Sequence, residues 1–323
     1  MSLTKLGSVV NQSASGNSGK NLLINGNFDI WQRGTSFSST GYYADRWKSY
    51  NLSGATYTFT RQLETTAIQQ AFYGKLDITA GSSASRGIEQ RIEEVVTAAG
   101  ETVTLSFWAK TDTARTLEIN IIQNFGSGGS STVTITNDDI TTTTSWASYS
   151  ITVELGSTAN KTIGGNSYLS VAIKMKNITT GTLNLGQVQL EVGNTATDFE
   201  YRGLPEELAL CQRYFEKSYS WGQDPGSVSS LGMAWQYMNV TSAIIQSSGS
   251  SEKFKVSKRT APTITMYSNN TGTSGKAYDW ASTEDIDVVS AGKGTEGFYW
   301  YCNNYATTAN QSVSIAWTAD AEL

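Results

Sequence analysis

The sequence predicts an all-β protein: an antiparallel sandwich, one linking helix and a second, smaller C-terminal β-sandwich. Three observations carry this. Apolar residues recur at every second position, as in Val103, Leu105, Phe107 and Ala109; Ile151, Val153 and Leu155; and Leu169, Val171, Ile173 and Met175. That is the period of strands buried on one face. Clusters of Gly, Ser, Thr and Asn at 126–131, 137–145 and 158–166 separate the runs with turn-forming composition. Only 204–219 has helical spacing, and strands without intervening helices close into a two-sheet antiparallel sandwich.

Taken in order, residues 1–20 hold two short apolar pieces and then NQSASGNSGK, the composition of a flexible tether or attachment segment. In NLLINGNFDIWQRG, 21–34, the run Leu22, Leu23, Ile24 meets a turn at Asn25-Gly26-Asn27 and re-enters with Phe28, Ile30 and Trp31. Asn and Gly tolerate positive φ, so a first strand and its capping loop are expected here. Later the phase slips: Leu183 and Leu185 share one parity, while Val188, Leu190 and Val192 take the other. A β-bulge near Gly186 would return the set to one face. The first domain is expected to end at 203.

The segment 204–219 reads as the linking helix. Pro205 suits its first turn, Glu206 and Glu207 favour its positive end, and Leu204, Leu208, Cys211 and Phe215 fall on one side. The C-terminal domain, 220–323, is expected to place strands at 231–237, 241–246, 251–256, 263–267, 285–289, 298–302 and 312–317. The chain has no internal repeat, which disfavours a β-helix.

Composition removes several functions. The 323 residues are 38% hydrophobic and 16% charged, with net charge −5. Phosphate binding needs clustered Lys and Arg, so nucleic acid is not an expected partner. No apolar run reaches the ~20 residues of a membrane helix, and the N-terminus lacks a signal peptide's apolar core. Folding in a cytoplasm is the expectation. Histidine is absent, which excludes His-based triads and His-based metal sites within the chain. Cys211 and Cys302 fit no metal spacing and read as free, buried thiols.

The wording of several segments adds a resemblance. NLLINGNFDIWQRG, ADRW at 44–47, ETVTLSFWAK at 101–110, SWASYSITV at 145–153 and VQLEVGNTATDFEYRG at 188–203 resemble the carbohydrate-binding-module-like jelly rolls of bacteriophage tail fibres and related virion proteins. LPEELALCQRYFEKSY, KRTAPTITMYS and the closing AWTADAEL are similar to the linking and C-terminal parts of such fibres. The resemblance implies a jelly roll over 21–203, a homotrimer, attachment to other virion proteins through the N-terminal segment, and a place in the virion tail after folding in the host cytoplasm. It also implies a host cell-surface glycan as partner, bound without catalysis.

Three kinds of site come into question. The acidic pairs Glu93/Glu94, Asp138/Asp139 and Asp285/Asp287 read as solvated surface residues, not the facing carboxyls of a glycosidase. Jelly rolls of the resembling kind often hold calcium near the first strand, where Asp29 and Glu191 are the side chains to suspect. Two carboxylates fall short of a shell of about six to eight oxygens, so no metal and no cofactor are expected. The aromatic residues of the C-terminal domain are the third kind. Sugar rings stack an apolar face on Trp or Tyr, and the candidates are Trp221, Trp235, Trp280, Tyr299, Trp300 and Tyr301. Phe298, Trp300 and Cys302 share one face of a strand and Tyr299 and Tyr301 the other; one set belongs to the core. The expected function is therefore non-enzymatic, multivalent adhesion to surface glycans. The alternatives are a glycan depolymerase or hydrolase and a purely structural virion subunit.

Overall fold

The structure, a computed structural model, describes residues 20–64, 72–238, 250–302 and 311–323. The tether before Lys20, the strand expected at 241–246 and the side chains of Asp138 and Asp139 lie outside the described set.

The first domain holds β1 (Ser36–Phe37), β2 (Trp47–Tyr50), β3 (Thr56–Leu63), β4 (Phe72–Ala80), β5 (Ala84–Glu93), β6 (Thr102–Thr111), β7 (Thr116–Asn124), β8 (Val133–Thr141), β9 (Ala147–Glu154), β10 (Tyr168–Ile178) and β11 (Gly181–Val192). One sheet runs β1-β3-β4-β11-β6-β9 and the other β2-β5-β10-β7-β8. From β4 to β7, and again from β8 to β11, the chain crosses between sheets at every step, which is a jelly-roll sandwich. The alternating residues of β6 and β10 named above all point inward and are buried in one core. The expected bulge is present: the β11–β6 register shifts between Gly186 and Gln189, with Gln187 at φ 49°.

Residues 21–34 differ from expectation, because they form no strand. They make an irregular plug that sends Leu23, Phe28 and Trp31 into the core, where Phe28 stacks on Trp47 at 5.1 Å and Trp31 on Phe59 at 5.5 Å. The Asn25 side chain takes over the ladder's role. Its Nδ2 donates to the carbonyls of Ile30 (2.8 Å) and Asp45 (3.0 Å), and its Oδ1 accepts from Ile30 N–H at 2.9 Å. The turn reading holds, with Asn25 at φ 56°. Gly26 is required for a second reason: a Cβ there would sit 2.1 Å from the Val188 carbonyl oxygen.

The helix is shorter than its periodicity suggests. α1 covers Leu204–Gln212, and Phe215–Lys217 form β12. In the described structure Phe215, Glu216 and Lys217 find ladder partners at Asp320, Ala319 and Thr318, and those bonds end the helix. Cys211 packs with Tyr214 against Ile24 and Ile30 of the plug, while Leu204 is exposed.

The C-terminal domain adds β13 (Ala234–Met238), β14 (Ser250–Lys253), β15 (Thr263–Tyr267), β16 (Lys276–Asp279), β17 (Glu284–Ala291), β18 (Gly297–Cys302) and β19 (Gln311–Asp320). β16 was not anticipated; its KAYD carries too short a pattern. All pairings are antiparallel and β19 is the hub, bonded to β12, β13, β15 and β16. β18 lies three strand spacings from β19, ~14 Å along a flat sheet, yet the Phe298 and Trp317 rings are 5.4 Å apart. The sheet therefore folds over on itself around Ile264, Met266, Phe298, Trp300, Val313, Ile315 and Trp317.

The two domains are locked together. Gln32 donates to the Phe215 carbonyl at 2.8 Å, and Arg213 pairs with Glu93 at 2.9 Å. Glu93 is thus a junction residue and not the solvated acid expected. Residues 320–323 lie in an arginine cluster: Arg33 reaches Asp320 (3.3 Å) and Glu322 (3.2 Å), Arg46 pairs with Glu322, and Arg91 and Tyr42 donate to the Leu323 carbonyl. Arg46 also lies 3.4 Å from the Tyr214 ring centroid.

Cys211 and Cys302 are free and buried. Burial pushes both thiols up, that of Cys302 to about 12. Both are therefore neutral at pH 8 and expected to resist an aromatic disulfide reagent in the native protein, then to react on unfolding in guanidinium. Fast release of chromophore from the native protein would contradict this packing.

Candidate functional site

Register places most of the aromatic candidates on one surface. On the folded sheet, Val313, Ile315, Ala277, Ile286, Phe298, Trp300 and Cys302 face the core. Alternation turns their neighbours outward. Trp235 and Tyr278 both lie opposite Ser314 of β19; Tyr278 lies opposite Asp285, and Lys276 opposite Asp287; Val289 and Ala291 lie opposite Tyr301 and Tyr299. The outward face thus runs from Trp235 through a polar middle to the two tyrosines.

The indoles dominate it. Trp235 and Trp280 are 47% and 39% exposed and stack on one another at 5.5 Å and 26°. Tyr278 meets Trp280 edge-on at 4.9 Å. Trp280 is held from behind: its Nε1 donates to Ser314 Oγ at 2.7 Å, Ser314 Oγ donates to Asn269 Oδ1 at 2.6 Å, and its backbone N–H reaches the Ser312 carbonyl. These bonds fix the ring, so little rotamer entropy remains to be lost when something stacks on the pair. Tyr299 and Tyr301 lie 5.7 Å apart as a second ring pair. Between the pairs, Asp285 accepts from Thr271 Oγ1 and Asp287 pairs with Lys276 at 2.7 Å.

Two candidates stand apart. Trp300 is 1% exposed and sits in the core with its Nε1 donating to Glu252 at 3.1 Å, so no sugar can stack on it. Trp221 is 46% exposed on the loop after β12, with no ring partner among the described residues. Asp29 and Glu191 have separate partners: Asp29 accepts from Asn27 Nδ2 (2.9 Å), Glu191 from Thr197 and Gln189. Burial pushes the Asp29 carboxyl up. Among the described residues no group of three or more His, Cys, Asp or Glu is arranged to hold a metal ion.

A surface the sequence reading missed is the outward face of β2-β5-β10-β7-β8. Ser170 and Ala172 at its centre are fully buried beneath longer neighbours. Lys48 and Arg91 converge on Glu89 (3.7 and 3.0 Å), Lys174 pairs with Glu118, and Arg91 and Lys174 lie over the Tyr168 and Tyr50 rings. Lys48, Arg91 and Lys174 on this face are thus paired with its own carboxylates.

No protein-family model and no curated protein sequence matches the chain. Some solved structures align with part of it. A structure described as a family 4 carbohydrate-binding module is 20% identical and covers 52% of this chain and 98% of its own, with a TM-score of 0.35. The CBM22-1 xylan-binding domain of Paenibacillus barcinonensis Xyn10C is 15% identical over 56% of this chain and 100% of its own, at 0.37. The enzymatically active domain of bacteriophage CBA120 tailspike protein 4 is 16% identical over 54% of this chain and 22% of its own, at 0.35. At this distance nothing about ligand or activity rests on them. The fold reading stands on the sheet topology.

Proposed function

We propose that the chain is a non-catalytic carbohydrate-binding protein that attaches a phage particle to host surface glycan through the outward face of its C-terminal sheet. The observation that carries this is the exposed, rigidly backed Trp235–Trp280 stack. Trp is usually mostly buried, and an exposed pair of fixed indoles offers the flat apolar face that the CH side of a pyranose ring fits. Asp285, Asp287 and Lys276 beside it supply hydroxyl-orienting groups. The sequence resemblance to tail-fibre segments supports the virion setting. On this reading the protein is a homotrimer, in which weak sites gain avidity by repetition.

Purified full-length protein applied to a glycan array, with reducing ends assayed after incubation on host polysaccharide, tests the reading. Binding without release of reducing sugar is expected. Release would favour a depolymerase, and no binding to any glycan would favour a structural subunit. Light scattering is expected to return about three times the 34.9 kDa chain mass; a monomer mass would remove the trimer.

A further inference from the structure

The outward face of the six-stranded jelly-roll sheet carries aromatic rings that the fold does not use. Val103, Leu105, Phe107 and Ala109 point inward from β6, so Trp108 and Lys110 point outward. Trp108 belongs neither to the core nor to the residues packed against it. Among the described residues its ring has no aromatic partner and its indole N–H no acceptor. Its neighbours are small on both sides: Gly186 lies opposite on β11 and Ser148 opposite on β9. The ring is half-buried, with no large side chain directly opposite it on either neighbouring strand.

Two residues along, Lys110 is held in place. Its ammonium lies 4.9 Å from the Trp146 ring centroid and 5.7 Å from that of Tyr73, and those rings meet edge-on at 5.2 Å. The Trp146 Nε1 donates to Glu64 at 2.7 Å, which fixes the corner and engages that carboxylate with the indole. Lys48, Arg91 and Lys174 on the opposite sheet all have carboxylate partners, whereas Lys110 has none within ion-pair distance among the described residues. A positioned ammonium with no carboxylate within ion-pair distance among the described residues, one side-chain repeat from a half-buried indole, suits a ligand that is apolar on one face and anionic at one edge.

We propose that Trp108 and Lys110 form a second saccharide site, separate from Trp235–Trp280, for a sugar bearing a carboxylate. The ring stacks on Trp108 and its carboxylate accepts from Lys110 Nζ. The site does not depend on the C-terminal surface, and the test separates the two.

Full-length protein is titrated with sialyllactose and tri-galacturonate, and with the neutral methyl esters of both. Wild type is expected to bind at least one acid at least tenfold more tightly than its ester. Trp108→Ala is expected to lose tenfold or more for the acid. Lys110→Gln is expected to reduce the acid-over-ester preference to less than twofold, and Trp235→Ala to leave that preference at tenfold or more. Thermal midpoints of all variants are measured alongside. If Trp108→Ala does not fold, Lys110→Gln with the ester comparison decides alone. The proposal is overturned if neither acid binds wild type at millimolar concentration, if acid binding survives both jelly-roll substitutions, or if it is lost in Trp235→Ala instead.

Discussion

Alanine at Trp300 is expected to destabilise the protein by ~3–5 kcal/mol, the cost of truncating a large buried aromatic side chain. The ring is 1% exposed in a core that Phe298, Cys302 and Trp317 share, and its Nε1 bond to Glu252 at 3.1 Å would go with it. Tyr299→Ala on the same strand is expected to change stability far less, because that side chain faces outward at 36% exposure. Denaturant unfolding of the two variants checks the alternation directly. Equal losses would mean that β18 is turned the other way, and the outward aromatic face would go with it.

The second large effect lies at the domain junction. Arg46→Ala is expected to cost ~3–5 kcal/mol, because it leaves Glu322 buried without its main cation. Arg46 and Glu322 side chains are 1% and 4% exposed, and Arg33 at 3.2 Å is the remaining partner for the carboxylate. The Tyr214 ring would also lose the guanidinium packed on it. The loss is expected as a single unfolding transition shifted for the whole protein, since the cluster joins the two domains. Two separate transitions, with only one of them shifted, would contradict a rigid junction. For the same reason a chain cut after the helix is a poor probe of the jelly roll: it would expose Arg33, Arg46 and the Gln32 side chain together.

Much of the sandwich was legible because its information is local. The parity of Val103 through Ala109 and of Leu169 through Met175 fixes which side is buried, and the slip between Leu185 and Val188 locates the bulge. The same parity turns Trp108 outward, so that signal was present in the sequence. Segment 21–34 was misread because a turn stabilised by one asparagine side chain and a strand can share the same apolar rhythm. The helix was overextended because Cys211 and Phe215 satisfy a 3.6-residue period, while only the distant ladder with 318–320 makes Phe215 a strand residue. The arginine cluster was invisible for a related reason. Arg33, Arg46, Asp320 and Glu322 each look like surface residues until the fold brings together positions nearly 300 apart in sequence. Alternation separated Phe298, Trp300 and Cys302 from Tyr299 and Tyr301, but only the folded sheet shows which set it closes over.

The central claim is that exposed indoles on the C-terminal sheet bind glycan. Its most direct measurement compares full-length wild type with the double variant Trp235→Ala/Trp280→Ala, titrated with the best neutral oligosaccharide from the array while thermal midpoints are recorded. Loss of stacking at ~1–3 kcal/mol, the scale by which a well-placed ring contributes to holding a flat ligand, predicts about a fivefold or greater drop in affinity in a variant that still unfolds in one cooperative transition, its midpoint lowered by the lost Trp280–Ser314 bond and Tyr278 contact. Undiminished affinity in a folded double variant would contradict the claim.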